Sequence, residues 1–137
     1  MNTSIFDIAG SSMRANSLRL NVTASNLANA NTVSDSPDTA YKARHPVFAA
    51  LLENEMGGVQ TLGVIESNRP VDKRFEPDSP FADDEGYVYG SNVDSVEELT
   101  NMMSASRSYQ SNVDMLNTAR QLICLLYTSD AADDYSV

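Results

Sequence analysis

The chain has 137 residues, enough for one small domain with a modest core. Its net charge of −10 excludes nucleic-acid binding, which needs clustered Lys and Arg, and docking to anionic membrane surfaces. A single Cys and a single His exclude an internal disulfide and a zinc framework.

Charge is unevenly distributed along the chain. Asn2 to Asn31 carries only Asp7, Arg14 and Arg19, and Leu99 to Leu126 carries only Arg107, Asp114 and Arg120. Glu66 to Glu98 holds more charge than both ends together. A helix that faces water normally shows charge on its outer face. The two ends therefore read as helices covered by protein, and the middle as the part that meets water. No stretch approaches the roughly 20 apolar residues of a membrane span, so the sequence does not read as an integral membrane protein. The opening MNTSIFDIAG has neither a basic n-region nor a long apolar run, so it is no secretory signal. Composition alone points to the cytoplasm.

The first helix is expected to start at Ser4, with Asp7 completing a capping box. Ile8, Ala15 and Val22 repeat every seven residues, with Leu18 beside them. Met13, Leu20 and Leu27 form a second stripe roughly 140° away. One stripe suits a partner within the chain, and the other suits a neighbour. The helix is expected to span about 38 Å and end near Asn29 to Asn31, where Asn can take the left-handed conformation.

Thr32 to Lys42 reads as loop, rich in turn formers. Pro46 to Glu55 reads as a short helical or extended piece, stopped by Gly57-Gly58. VQTLGVIES, from Val59, reads as a strand, with Val71 to Phe75 as its hairpin partner across Asn68-Arg69-Pro70. Pro77 to Gly86 is an acidic loop, and GYVYG, Gly86 to Gly90, is a further extended stretch.

The second helix opens at Asp94 or Ser95, where Ser95-Val96-Glu97-Glu98 reads as a capping box. Its stripe runs Leu99, Met102, Ser106, Tyr109, Val113, Leu116, Arg120 and Ile123, the alternating spacing of a coiled coil, with Ser106 and Arg120 as interruptions. Without Gly or Pro after Asn92, a helix of roughly 30 residues, about 45 Å, is expected. The predicted fold is mainly α. Long N- and C-terminal helices pair as an antiparallel coiled coil around a small β-hairpin-containing middle segment. The expected boundaries are 1–31, 32–91, 92–123 and a tail, 124–137.

Catalytic chemistry finds no constellation. His45 stands alone before Pro46, and Cys124 has no basic or His partner nearby in sequence. Asp83-Asp84-Glu85 lacks EF-hand spacing and reads as a solvated acidic loop. Gly57-Gly58 has no phosphate-loop context, and no Ser lies in a nucleophile elbow. The expectation is a non-enzyme with no cofactor and no metal.

Two stretches carry more than helix periodicity. ASNLANANT spans Ala24 to Thr32, and NVDSVEELTNMMSASRSYQSNVDMLNTARQLI spans Asn92 to Ile123. Together they resemble the terminal signatures of the bacterial flagellar axial proteins, the rod and hook family. YKARHPVF and DDEGYVYGSNVD resemble the connecting region of that family's short rod members. The likeness covers Met1 to Ile123, with Ser25, Asn26, Leu27, Asn29, Asn31 and Thr32 as the N-terminal signature.

The resemblance implies a structural subunit of the basal-body rod, the drive shaft used for motility. It implies paired terminal helices lining the tube and a middle segment outside and between subunits. It also implies export by the flagellar type III apparatus without a cleaved signal, which replaces the cytoplasm by the periplasmic basal body. Implied partners are other rod proteins, copies of itself, and basal-ring and export-gate components. Leu18, Val22, Leu27, Leu99, Met102, Tyr109, Val113 and Leu116 are the expected helix and subunit packing residues. The rival reading is a soluble helical adaptor or secretion chaperone that receives a partner helix. The two differ in isolation: an adaptor stays a folded dimer, whereas a rod subunit orders its ends on assembly.

The resemblance stops at Ile123. CLLYTSDAADDYSV places acids and no base near a helix C-terminus, the unfavourable sign for the dipole. It also looks like translated sequencing-adapter read-through, a tail foreign to the gene.

Overall fold

Helix α1 (Ile5–Ala28) begins where its cap residues dictate. The Ser4 hydroxyl accepts the Phe6 N–H at 3.0 Å, and Asp7 Oδ2 accepts the Ser4 N–H at 3.3 Å. This is the reciprocal box expected from the sequence. At the far end Asn29 Nδ2 donates to the Ser25 carbonyl at 2.8 Å. Asn29 has φ −105°, so at this residue the helix is closed by the side chain and not by a left-handed backbone. The computed structural model describes residues 4–51 and 57–134.

Among the described residues five strands follow: β1 (Val33–Ser34), β2 (Arg44–Ala50), β3 (Val59–Glu66), β4 (Lys73–Phe75) and β5 (Tyr87–Gly90). They form two antiparallel sheets, one ordered β1-β5-β4 and the other β2-β3. The stretch expected from Pro46 is extended, and it leaves the described residues after Leu51. Pro46 lies inside β2, which a two-stranded sheet tolerates because each strand keeps a free edge. Val47 pairs with Gly63 and Phe48 with Thr61, so Leu62 is an extra residue in β3. Gly63 takes φ +153° beside this bulge, a conformation that favours glycine.

The expected hairpin between Val59–Ser67 and Val71–Phe75 does not form. The partner of β3 is β2, which offers a long apolar ladder. The chain after β3 is turned away because Asn92 Nδ2 donates to the carbonyls of Ser67, at 3.3 Å, and Arg69, at 2.9 Å. Lys73–Phe75 pairs instead with GYVYG, where Phe75 and Tyr87 meet edge to face at 5.2 Å. Lys73 Nζ sits 4.1 Å over the Tyr87 ring.

Helix α2 (Ser95–Asp134) has 40 residues and reaches about 60 Å, longer than expected, because no Gly or Pro interrupts it. Its cap is Asp94, whose Oδ1 accepts the N–H groups of Val96 at 3.0 Å and Glu97 at 3.3 Å. The expected Ser95–Glu98 box does not close, because the Glu98 carboxylate is bonded to α1 instead.

The two helices pack along each other in antiparallel order. The buried apolar residues are almost all alanine: Ala9 and Ala15 on α1, Ala105 and Ala119 on α2, and Ala40 and Ala43 in the connection. Among the described residues Val88 is the one larger member, at the centre of the β1-β5-β4 sheet. The α2 face toward α1 is centred on Glu98, Ala105 and Ala119, with Met102, Val113 and Leu116 of the expected stripe half-buried beside them. Ala105 and Ala119 stand where Ser106 and Arg120 interrupted it, and Ser106 and Arg120 are exposed. Alanine brings two helix backbones close, which longer side chains do not permit.

Candidate functional site at the junction of the helices

The last turn of α1, the start of β2 and the first turn of α2 converge on Asn26, which is fully buried. Its Oδ1 accepts the Arg44 N–H at 3.0 Å and the Tyr41 hydroxyl at 2.9 Å. Its Nδ2 donates to the Arg44 carbonyl at 2.8 Å and to Glu98 Oε2 at 3.1 Å. The carboxamide thus uses two donors and two acceptors, its whole capacity. Glu98 is itself only 2% exposed. A buried carboxylate is expensive without such a donor, so the bond fixes how α2 begins.

Further polar bonds hold the same register. Asn112 Nδ2 donates to Ser12 Oγ at 2.9 Å, and Arg19 Nη2 reaches Asn101 Oδ1 at 3.5 Å. Ser12, Arg19 and Asn26 stand seven residues apart on one line of α1. Polar groups inside a helix seam specify register at some cost in stability. This register sets Ile5 opposite Ala119. From Arg120 to Ala131, α2 overhangs the start of α1, with every side chain exposed.

Asn92 is the second hub. Its Oδ1 accepts the Ala43 N–H at 2.6 Å while Nδ2 holds the Ser67 and Arg69 carbonyls. Ser91 Oγ donates to the Ala30 carbonyl at 2.6 Å, joining the segment before α2 to the end of α1. Arg69 caps the arrangement with a forked contact to Glu97, at 2.7 and 3.4 Å. The Glu97 hydrogen bond and charge raise the Arg69 pKa above its ordinary value.

The acidic loop is organised around Asp83. Its Oδ1 accepts the N–H groups of Tyr87 at 2.8 Å and Glu85 at 3.0 Å, and Oδ2 accepts the Tyr89 hydroxyl at 3.2 Å. The Tyr87 N–H leads in holding the Asp83 carboxyl below the ordinary carboxylate value, helped by Glu85, Tyr89 and the Lys73 charge. Partial burial, and then Asp83, push the Tyr89 phenol up. Among the described residues no group of three carboxylate, His or Cys side chains is placed to hold a metal ion.

Of the expected packing residues, Leu18, Val22, Leu27, Met102, Val113 and Leu116 are half-buried. Leu99 and Tyr109 are exposed, at 51% and 36%. In the N-terminal signature, Asn26 is the hub and Asn29 the cap. Ser25 Oγ lies 3.3 Å from the Tyr41 hydroxyl, and Thr32 Oγ1 donates to the Asn29 carbonyl at 2.8 Å. Leu27 packs partly inward, and Asn31 is exposed. Sequence reading missed Glu98, Asn92, Ala105 and Ala119. The line Glu98, Ala105, Asn112, Ala119 repeats every seven residues, but its mixed chemistry hid it from a search for large apolar side chains.

Many large apolar side chains point away from the pair. Ile5, Ile8, Val96, Leu99, Met103, Tyr109 and Met115 are all exposed within the single chain. No helix among the described residues is long and apolar enough to cross a membrane.

Comparison with known proteins locates both helices in one family. The profile of the flagella basal body rod protein family matches residues 6–33. The profile of the flagellar basal body rod FlgEFG protein C-terminal region matches residues 84–123. The flagellar basal-body rod protein FlgC of Salmonella typhimurium is 50% identical over 121 residues, covering 87% of this chain and 90% of the relative. That of Escherichia coli O157:H7 agrees at the same identity and coverage. The protein of the same name from Buchnera aphidicola subsp. Acyrthosiphon pisum is 38% identical over 123 residues, again covering 87% and 90%. With such identity across most of both chains and rod-protein profiles on both helices, this chain belongs to the flagellar basal-body rod protein FlgC family.

Proposed function

We propose that the chain is a structural subunit of the flagellar basal-body rod and performs no catalysis. Family membership supports this reading, and one observation carries it. The helix pair is closed by alanines and polar bonds, while Ile8, Leu99, Met103 and Tyr109 face outward. A row of exposed apolar side chains on charge-poor helices calls for neighbours that bury it. The α1–α2 pair is an antiparallel coiled coil that lines the shaft, with the two small sheets outside and between subunits.

Its partners in this reading are copies of itself, other rod proteins, and the basal-ring and export-gate components at the shaft's base. It reaches the periplasm through the flagellar type III apparatus with its N-terminus uncleaved. Residues 124–137 are foreign to the rod subunit, which the end of the profile match at Ile123 supports.

The test is a deletion strain of the source organism. Loss of hook and filament above an intact basal ring is expected, restored by the gene in trans. Normal swimming in the deletion strain sinks the reading. Edman sequencing of the chain from isolated basal bodies checks the uncleaved N-terminus.

A further inference from the structure

We propose that the cleft between α1 and β2 receives the acidic tip of a second copy of this chain, Asp84 and Glu85 between β4 and β5. The inference rests on the assembly reading above and specifies one contact within it. The cleft has a volume of about 230 Å³ and is lined by Arg19, Thr23, Arg44, Pro46, Phe48 and Asn101 among others, with His45 beside them. Two guanidinium groups in one small cleft are conspicuous in a chain of net charge −10. Neither Arg19 nor Arg44 forms an ion pair among the described residues. Arg19 on the α1 wall and Arg44 on the β2 wall face one cleft without a bound carboxylate, although Glu66 stands opposite Arg44 in the β2–β3 ladder, and guanidinium forks suit a carboxylate between them.

The cleft is built in advance. The Arg44 backbone is clamped at both its N–H and its carbonyl by Asn26. Arg19 leans on Asn101 across the helix pair. Thr23 is 3% exposed and lines the cleft.

The occupant is chosen by charge and by topology. Asp83 is consumed in holding its own turn, which leaves Asp84 and Glu85 exposed at the tip. Gly86, at φ +87°, shapes this tip, because a Cβ there would meet Phe75 at 3.0 Å. Cleft and tip are different patches of one chain. A contact between them is heterologous and propagates from subunit to subunit as a ring or helix, unlike a two-fold dimer. That is the kind of contact a shaft requires.

The test uses the full chain in flagellated cells that lack the unsubstituted gene, with Cys124→Ser to remove the exposed thiol. Pro46→Cys and Asp84→Cys versions are co-expressed, and isolated basal bodies are treated with a short bismaleimide. A dimer of the two versions is expected, with none from either version alone. Arg44→Glu is expected to lose swimming, and Asp84→Lys with Glu85→Lys in the same chain is expected to restore it. Basal bodies that contain both versions without the mixed dimer overturn the contact and leave the rod assignment standing. So does cross-linking of Pro46→Cys only to a different rod protein, or no rescue of an Arg44→Glu chain that circular dichroism shows to be folded. Absence of the unsubstituted chain from basal bodies removes the rod assignment itself.

Discussion

Asn26 and Glu98 are bonded at 3.1 Å with almost no access to solvent, tying the end of one helix to the start of the other. The two residues are 72 positions apart in sequence. Asn26 also holds the Arg44 peptide, so one carboxamide sets the relation of three elements. Asn26→Ala strands the Arg44 N–H and the Glu98 carboxylate and should cost about 3 kcal/mol in urea unfolding. Asn26→Asp should be worse, because it sets two carboxylates together. Glu98→Gln should recover part of that loss, a coupling that a double-mutant cycle measures. Equal stability of Asn26→Asp with and without Glu98→Gln contradicts the pairing.

The face of α2 that meets α1 is checked by two neighbouring substitutions. Ala105 is fully buried between the helices, so Ala105→Leu should destabilise by about 1–3 kcal/mol through overpacking. Ser106 is exposed, so Ser106→Leu should stay within about 0.5 kcal/mol of the parent. The opposite order in thermal unfolding restores the stripe through Ser106 and Arg120.

Leu99 separates folding from assembly. It is 51% exposed in the single chain, so Leu99→Ser should change unfolding by under about 1 kcal/mol. Swimming and recovery of the chain in basal bodies should nevertheless fall sharply. Leu116, half-buried against α1, should fail on both counts as Leu116→Asp.

Acid should loosen the β4–β5 turn first. The carboxyl of Asp83 titrates below its ordinary 3.8 in the folded chain. A lowered pKa stabilises the folded state above the unfolded value and loses that contribution as pH falls through the folded one. Exchange of the Tyr87 amide proton should therefore accelerate, relative to Asn29, as pH drops from 3.8 through that lower value. Asp83→Asn should flatten this dependence, and an unchanged profile contradicts the role given to the charge.

The end of α2 is expected to be dispensable. From Arg120 to Ala131 no side chain is buried. A stop after Ile123 should leave unfolding of the helix pair within about 0.5 kcal/mol of the parent and swimming intact. Lost motility in a stably folded truncation assigns the tail a role in assembly.

The sequence by itself determined what depends on near neighbours. Ser4 and Asp7 specify a helix start, the lack of Gly and Pro after Asn92 specifies an unbroken α2, and Gly86 to Gly90 specifies a strand. The poverty of charge in both helices and the signature around Asn26 were equally open to reading. Tertiary structure decided which distant segments meet. β3 chose β2 because Arg44–Ala50 supplies the longer ladder and Asn92 turns the following chain away. The seam of α2 is centred on Ala105 and Ala119 because close backbone approach favours them over larger neighbours. Glu98, written as a cap, became a buried acceptor because its donor, Asn26, comes from the far end of the chain. Local propensity is carried by adjacent residues, whereas a buried polar bond exists only once both partners are brought together.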